Sequence, residues 1–353
     1  LTKVNQSPSE YFVNLPEDYF YNLYQSLPRQ LAFKPENVAD FDNWSAKVRQ
    51  KLRELLKVDG ALPTPQVEVC ERLEIDGLQR EYILIHDEPF GPIPAYVLRP
   101  VEMETPAPGV MCLHGHGGYF AGKDMVVANP ETHAIAIECG EALNYPYGVQ
   151  LARAGFVTIS PDAYNFGERV MEGDRWAERH LCNEYQAALI NTGYSSAGIT
   201  TRGNLLVLNY LLSRPDVAGD TAGCVGLSYG GFQTLLLAGV EPRIAAAVVS
   251  GALSNYVGAR TPAAHCGAQT IPGVLQWFDQ PDVAFSIAPR PVLYEMMQQD
   301  CCFNFDDSMK LYKDIEAVYG GIDAADRIEC DVADTDHRYI GDKVPEFLRR
   351  YLA

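Results

Sequence analysis

The chain has 353 residues, 47% hydrophobic and 21% charged, a balance that suits a folded protein with a sizeable core and excludes a disordered one. Lys and Arg total 28 against 46 Asp and Glu, a formal charge of -18, so a nucleic-acid backbone or an anionic membrane surface would be repelled. No apolar run reaches the length of a spanning helix, and the opening LTKVNQSPSEYF has no signal-peptide stretch; the expected compartment is the cytoplasm, with a removed leader left open by the absent initiator Met.

In chain order, residues 1–60 read as an N-terminal helical extension, in which Phe41, Trp44, Val48, Leu52, Leu55 and Leu56 recur at helical spacing behind an Asp40 N-cap and before a Gly60 stop. Such an apolar face must pack on the rest of the chain or on a second copy, so a homo-oligomer is one expectation. Residues 61–353 form the main domain. It opens with three strands, VEVCERLEI, LQREYILI and IPAYVLRPV, the first two joined by an Asp76-Gly77 hairpin turn. From Gly109 onward GVMCL, FVTIS, GCVGL, AAAVVS, PVLYEM and RIECDV alternate with helix-length segments, the pattern of a mostly parallel sheet flanked by helices. TTRGNLLVLNYLLSRPDV, FDDSMKLYKDIEAVYGG and DKVPEFLRRYLA are the clearest of those helices. Residues 163–198 fit poorly between strand and helix and read as a cap insertion over a site.

The chemistry concentrates at the ends of these strands. GCVGL runs into Gly226-Leu227-Ser228-Tyr229-Gly230 and then an apolar helix, a G-x-S-x-G elbow that lifts a serine hydroxyl to a helix N-terminus where developing negative charge is favoured. Serine needs a base, and of the two histidines that follow it, His337 lies just beyond the last strand; His265 reads as a loop histidine bonded to backbone. Asp300 follows PVLYEM and is the first choice of acid, with Asp331, Asp334 and Asp336 as rivals beside His337; Glu295, inside its strand, reads as a satisfied carboxylate. Strand GVMCL ends in His114-Gly115-His116-Gly117-Gly118-Tyr119, a turn able to expose amides, and the N–H groups of His116 and Tyr229 are the expected oxyanion donors. Metal binding by the His-x-His pair is set aside because the sequence clusters no third ligand with it. His114 reads as structural. Arg169 lies at the same sheet edge, where it would hold a substrate or a salt bridge within its loop.

Nine cysteines, odd in number and without a CxxC pair, read as mostly buried free thiols, and vicinal Cys301-Cys302 as small packing residues rather than a redox pair.

Taken together, LHGHGG, VGLSYGG, EPRIAAAVVSG, the stretch from AHCGAQ to PVLYEM, QQD and DHRY resemble the α/β-hydrolase superfamily, specifically its dienelactone hydrolase and acetyl xylan esterase-like branch, over residues 66–353. The resemblance implies an α/β-hydrolase fold, Ser228 as nucleophile, Asp300 as acid, His337 as base, the amides of His116 and Tyr229 as oxyanion donors, and no cofactor; no metal is expected, for want of a third ligand beside the His-x-His pair. The expected activity is serine carboxylic ester hydrolysis of a small or carbohydrate-linked acyl ester. Two rivals stand beside it: a prolyl-oligopeptidase-type serine peptidase, for which the N-terminal segment is too short to supply a propeller, and a non-catalytic hydrolase-fold binding protein, which an intact serine and histidine disfavour.

Overall fold

The computed structural model describes residues 19–117, 121–129, 131, 134–172, 181–256 and 266–352. Among them, nine strands form one sheet in the order β1-β2-β3-β5-β4-β6-β7-β8-β9. β1 (Gln66–Ile75), β2 (Leu78–His86) and β3 (Ile93–Pro100) pair antiparallel, and β3 joins β5 (Val157–Pro161) antiparallel as well. β4 (Ala107–Leu113), β5, β6 (Val217–Leu227), β7 (Ile244–Ser250), β8 (Val292–Met297) and β9 (Ile328–Ala333) run parallel. The β1–β2 turn uses positive φ at both Asp76 and Gly77, the conformation that matches hairpin twist.

The helices are α1 (Tyr19–Ser26), α2 (Phe41–Leu55), α3 (Lys123–Val126), α4 (Ala134–Ala142), α5 (Tyr147–Arg153), α6 (Cys182–Ile190), α7 (Ser196–Ser213), α8 (Tyr229–Val240), α9 (Gln280–Ile287), α10 (Phe305–Gly321) and α11 (Val344–Leu352). None is long and apolar enough to cross a membrane. Because side chains alternate along a strand, the sheet feeds two cores. Met111 and Leu113 join residues of α2, α7, α8, α9 and α10 on one face, while Val110 and Cys112 join α3, α5 and α11 on the other.

The extension is tied into the first of these cores. Phe41, Trp44, Val48 and Leu52 are buried against it, Trp44 Nε1 donates to Leu31 O at 2.9 Å, and Phe33 bridges Trp44 and Phe285 of α9. Three local readings change. Asp40 stands at the helix N-cap but its side chain makes no cap bond, accepting instead from Asn43 Nδ2 at 2.9 Å. The helix read through Val217 stops at Ser213, since Arg214 is extended ahead of Pro215. β6 then begins at Val217, pairs with Ala107, and shifts register past Gly219 before resuming at Ala222. Of the stretch 163–198, α6 and the first residues of α7 are helical; residues 173–180, like His265, lie outside the described residues.

Candidate active site

Parallel strands end together, so the residues that follow β4, β6, β7, β8 and β9 meet along one edge. Ser228 follows β6 directly, with φ 61° and ψ -122°, a strained conformation for a residue with a side chain. Its N–H donates to Ser250 O at 2.8 Å, and α8 starts at the next residue. The flanking glycines are sterically required. A Cβ on Gly226 would lie 2.3 Å from Gly230 C, and one on Gly230 would lie 1.9 Å from Leu113 O. The elbow therefore closes only if both positions lack side chains.

His337 Nδ1 lies 2.8 Å from Asp300 Oδ2, with the carboxylate buried and the imidazole nearly so. The other carboxylate oxygen, Oδ1, accepts from Cys302 N at 2.7 Å and Phe303 N at 2.9 Å, and the Phe303 ring stacks on the imidazole. Gln298 N and Gln299 N donate to Ala333 O and Thr335 O, so the acid loop and the histidine loop are sewn together by main chain. The rival carboxylates are engaged elsewhere: Asp331 with Lys343, Asp334 with Gln299 and Asp336 with Thr335. His337 also abuts Gly251, the residue after β7, where an added Cβ would sit 3.1 Å from the imidazole Cε1. The loop after β9 thus carries His337 across to the end of β7, the strand next to the one that Ser228 follows.

Glu295 supports this arrangement from beneath. It is 1% exposed, and its carboxylate accepts from Gly341 N at 2.7 Å and Ile340 N at 3.4 Å, anchoring the chain just past His337. Burial pushes its carboxyl up to about 7.

The turn after β4 faces the elbow. His114 is buried; its Nδ1 pairs with Gly115 O at 2.9 Å and its Nε2 accepts from Ala163 N at 3.0 Å, which fixes the neutral tautomer with the proton on Nδ1. Gln233 Nε2 from α8 donates to His114 O at 2.9 Å, and Gly117 N donates to Tyr145 OH at 3.3 Å. A Cβ on Gly115 would lie 3.2 Å from Ser228 Cβ, so this turn runs directly alongside the serine. Tyr229, the first residue of α8, is at a position whose N–H has no partner one helical turn earlier. Asp162, just past β5, is buried and binds Lys123 Nζ at 3.1 Å, Lys123 N at 2.8 Å and Glu168 N at 3.0 Å, pinning two loops at this edge. Its role had no signature in the sequence beyond being an Asp after a strand. Arg169, expected to hold a substrate or a salt bridge within its loop, donates its guanidinium to the carbonyls of Asp162 and Phe90 at 3.4 and 3.3 Å and lies over Tyr164.

The cysteines also depart from expectation. Cys112, Cys182 and Cys224 are buried, but Cys70 and Cys301 are exposed, so the vicinal pair does not pack as two small apolar residues. Cys182 and Cys266, distant in sequence, converge on His116: its Nε2 lies 3.1 Å from Cys266 Sγ and 3.5 Å from Cys182 Sγ. The His-x-His pair itself does not converge, since both His114 nitrogens are bound to main chain; tertiary structure instead brings two sulfurs to His116 alone. The Cys182 thiol donating to Cys266, with the His116 imidazole beside it, holds the Cys266 thiol below its usual range.

A cleft of about 660 Å³ lined by Arg72, Arg99, Tyr210 and Arg214 lies at the opposite edge, beside the start of β4 and β6. Its charges are spent on one another, Arg214 pairing with Glu81 and Asp216 at 2.7 Å each.

Residues 20–351 match the family model described as "Abhydrolase family". The Bacillus subtilis (strain 168) protein named "Putative hydrolase YtaP" is 27% identical over 285 residues, covering 78% of this chain and 89% of its own length. Among solved structures, "a putative acetyl xylan esterase" from Bacteroides fragilis NCTC 9343 superposes with TM-score 0.75 at 18% identity, over 98% of this chain and 92% of that one. A glucuronoyl esterase from Solibacter usitatus does so with TM-score 0.62 at 14% identity, over 92% and 97%. With a family match over nearly its whole length and the doubly flanked sheet to go with it, the chain belongs to the Abhydrolase family and has the α/β-hydrolase fold.

Proposed function

We propose that this hydrolase is a serine carboxylic ester hydrolase. The observation that carries the reading is the 2.8 Å His337–Asp300 bond, formed at the sheet edge where the elbow presents Ser228. In this reading Ser228 Oγ attacks the ester carbonyl, and His337 takes the hydroxyl proton on the nitrogen opposite Asp300. Asp300 holds the tautomer and stabilises the imidazolium. The tetrahedral oxyanion is met by the N–H groups of His116 and Tyr229, the latter at the positive end of α8. His337 then returns the proton to the leaving alcohol and activates the water that cleaves the acyl-enzyme. Arg169, spent on main-chain carbonyls, serves by shaping the loop after β5.

The esterase class draws support from the acetyl xylan and glucuronoyl esterases that share the fold, which also favour an ester of a small acyl group or of a carbohydrate as substrate. The test is a panel of acetyl, longer acyl, feruloyl and sugar esters, assayed with the wild type and Ser228→Ala. Turnover of one ester class should fall at least ~10³-fold in the variant, leaving only what binding and the oxyanion donors provide. An organophosphonate should label Ser228, located by peptide mapping. Undiminished hydrolysis in Ser228→Ala would overturn the reading.

A further inference from the structure

Three segments that the sequence keeps apart bring soft donor atoms to one point. His116 comes from the turn after β4, Cys182 opens α6, and Cys266 precedes the short turn Gly267–Gln269. The three donor atoms all lie within 4.8 Å of one another. Around a tetrahedral ion with bonds of about 2.3 Å to sulfur and about 2.0 Å to nitrogen, donor atoms are separated by roughly 3.5 to 3.8 Å. The imidazole-to-sulfur distances of 3.1 and 3.5 Å need only a few tenths of an ångström of opening to admit one.

The surroundings hold the donors where they are. The imidazole is flanked by the rings of Phe166 and Tyr229, with centroids 5.2 and 5.0 Å away. Gly267 is pressed so closely on α6 that an added Cβ would lie 2.2 Å from Cys182 O, and Gly267 N donates to Asn183 Oδ1 at 2.8 Å. Cys266 N donates to Gln269 Oε1 at 3.2 Å, which orients the residue that carries the third donor. Cys182 is 5% exposed, so a cation there would be largely shielded from water. Two thiolates neutralise a divalent charge, and the set of two sulfurs and one imidazole suits Zn²⁺ and disfavours Mg²⁺ or Ca²⁺, which take oxygen.

The other group of potential ligands, Asp300, Cys301 and Cys302, is contiguous in sequence, and its carboxylate is already committed to His337. Its donor atoms also lie within 4.8 Å of one another, but they come from one segment and bring no distant parts of the chain together.

We propose that His116 Nε2, Cys182 Sγ and Cys266 Sγ form a binding site for a thiophilic divalent cation, Zn²⁺ foremost. Bound there, the ion clamps the turn after β4 to α6 and to the Gly267–Gln269 turn. It uses the His116 imidazole, not the amide proposed to meet the oxyanion, and supplies no step of ester cleavage. Binding releases the two thiol protons to solvent, and no electron is transferred.

The full chain, reduced and stripped of metal, is titrated with Co²⁺ alone and then with Zn²⁺ alone. One equivalent of Co²⁺ should give thiolate-to-cobalt charge-transfer absorption with the intense visible bands of a tetrahedral ion, and Zn²⁺ should bleach both. Cys182→Ser and Cys266→Ser should each lose the charge-transfer band, while the Cys301→Ser/Cys302→Ser double variant keeps it. Zn²⁺ should also raise the melting temperature of the wild type and leave that of Cys266→Ser unmoved. Absence of the cobalt spectrum in reduced wild-type protein overturns the proposal. So does its persistence in a Cys182→Ser/Cys266→Ser chain, or an unchanged wild-type melting temperature with Zn²⁺. Should Cys182→Ser fail to fold, the single Cys266→Ser variant and the wild-type titration decide the matter. Because none of these readouts uses ester turnover, failure of the metal site and failure of the esterase reading are told apart.

Discussion

Replacing Asp300 by Asn removes one negative charge while keeping the side chain's shape, and the structure shows how the amide would sit. Oδ1 accepts two main-chain N–H bonds, from Cys302 and Phe303, so the amide oxygen must take that place. The NH₂ group is thereby turned toward His337 Nδ1, now 2.8 Å from Asp300 Oδ2. Two donors cannot face each other, so the imidazole shifts its proton to Nε2 and presents an N–H where a base is required. The wrong tautomer in a serine triad costs about 10⁴-fold in turnover, or about 5.4 kcal/mol of barrier at about 1.36 kcal/mol per factor of ten. The fold should be little disturbed, because both N–H bonds to the loop survive. The assay is kcat and KM on the best ester from the panel, with melting temperature as a control. We expect kcat to fall by roughly 10³ to 10⁴-fold with KM within a few-fold, and the residual rate to climb with pH as hydroxide substitutes for the base. Asp331→Asn, Asp334→Asn and Asp336→Asn, whose carboxylates bind Lys343, Gln299 and Thr335, should each keep most of the activity. An active Asp300→Asn beside an inactive Asp334→Asn or Asp336→Asn would refute the reasoning.

Glu295, with its carboxyl raised to about 7 by burial, binds more protons folded than unfolded between about 4.5 and 7, so its contribution to stability declines as pH rises through that window. Full ionisation costs on the order of 3 kcal/mol, and Glu295→Gln should therefore flatten the fall in unfolding free energy between pH 5 and 8 seen by denaturant titration; an unchanged slope would show that Glu295 titrates normally. Gly230→Ala places a methyl 1.9 Å from Leu113 O, and we expect loss of soluble protein or a ΔΔG of several kcal/mol; near-wild-type stability would mean the elbow can open. Trp44→Ala empties a buried site on α2 and breaks its bond to Leu31, and should destabilise by about 3 to 5 kcal/mol in guanidinium unfolding, whereas a loss below about 1 kcal/mol would show α2 to be a loosely held appendage.

What the sequence determined by itself is what depends on near neighbours along the chain. The alternation of GVMCL, FVTIS and GCVGL with helix-length segments specifies parallel strands, Asp76-Gly77 specifies a hairpin, and Gly226 to Gly230 specifies an elbow, because each is a short-range constraint on φ, ψ or period. The same locality explains the errors. Whether Asp40 caps its helix is decided by a competing bond from Asn43, and where the helix before β6 stops by the steric demand of Pro215 on Arg214. Only the tertiary structure could choose among four carboxylates near His337, since the choice turns on which loop the sheet carries to the imidazole's Nδ1 side. The same holds for Cys182 and Cys266. Nothing in the spacing of residues 116, 182 and 266 marks them as neighbours; the sheet edge and the packing of Gly267 on α6 do, because close packing converts sequence distance into contact without leaving a local pattern.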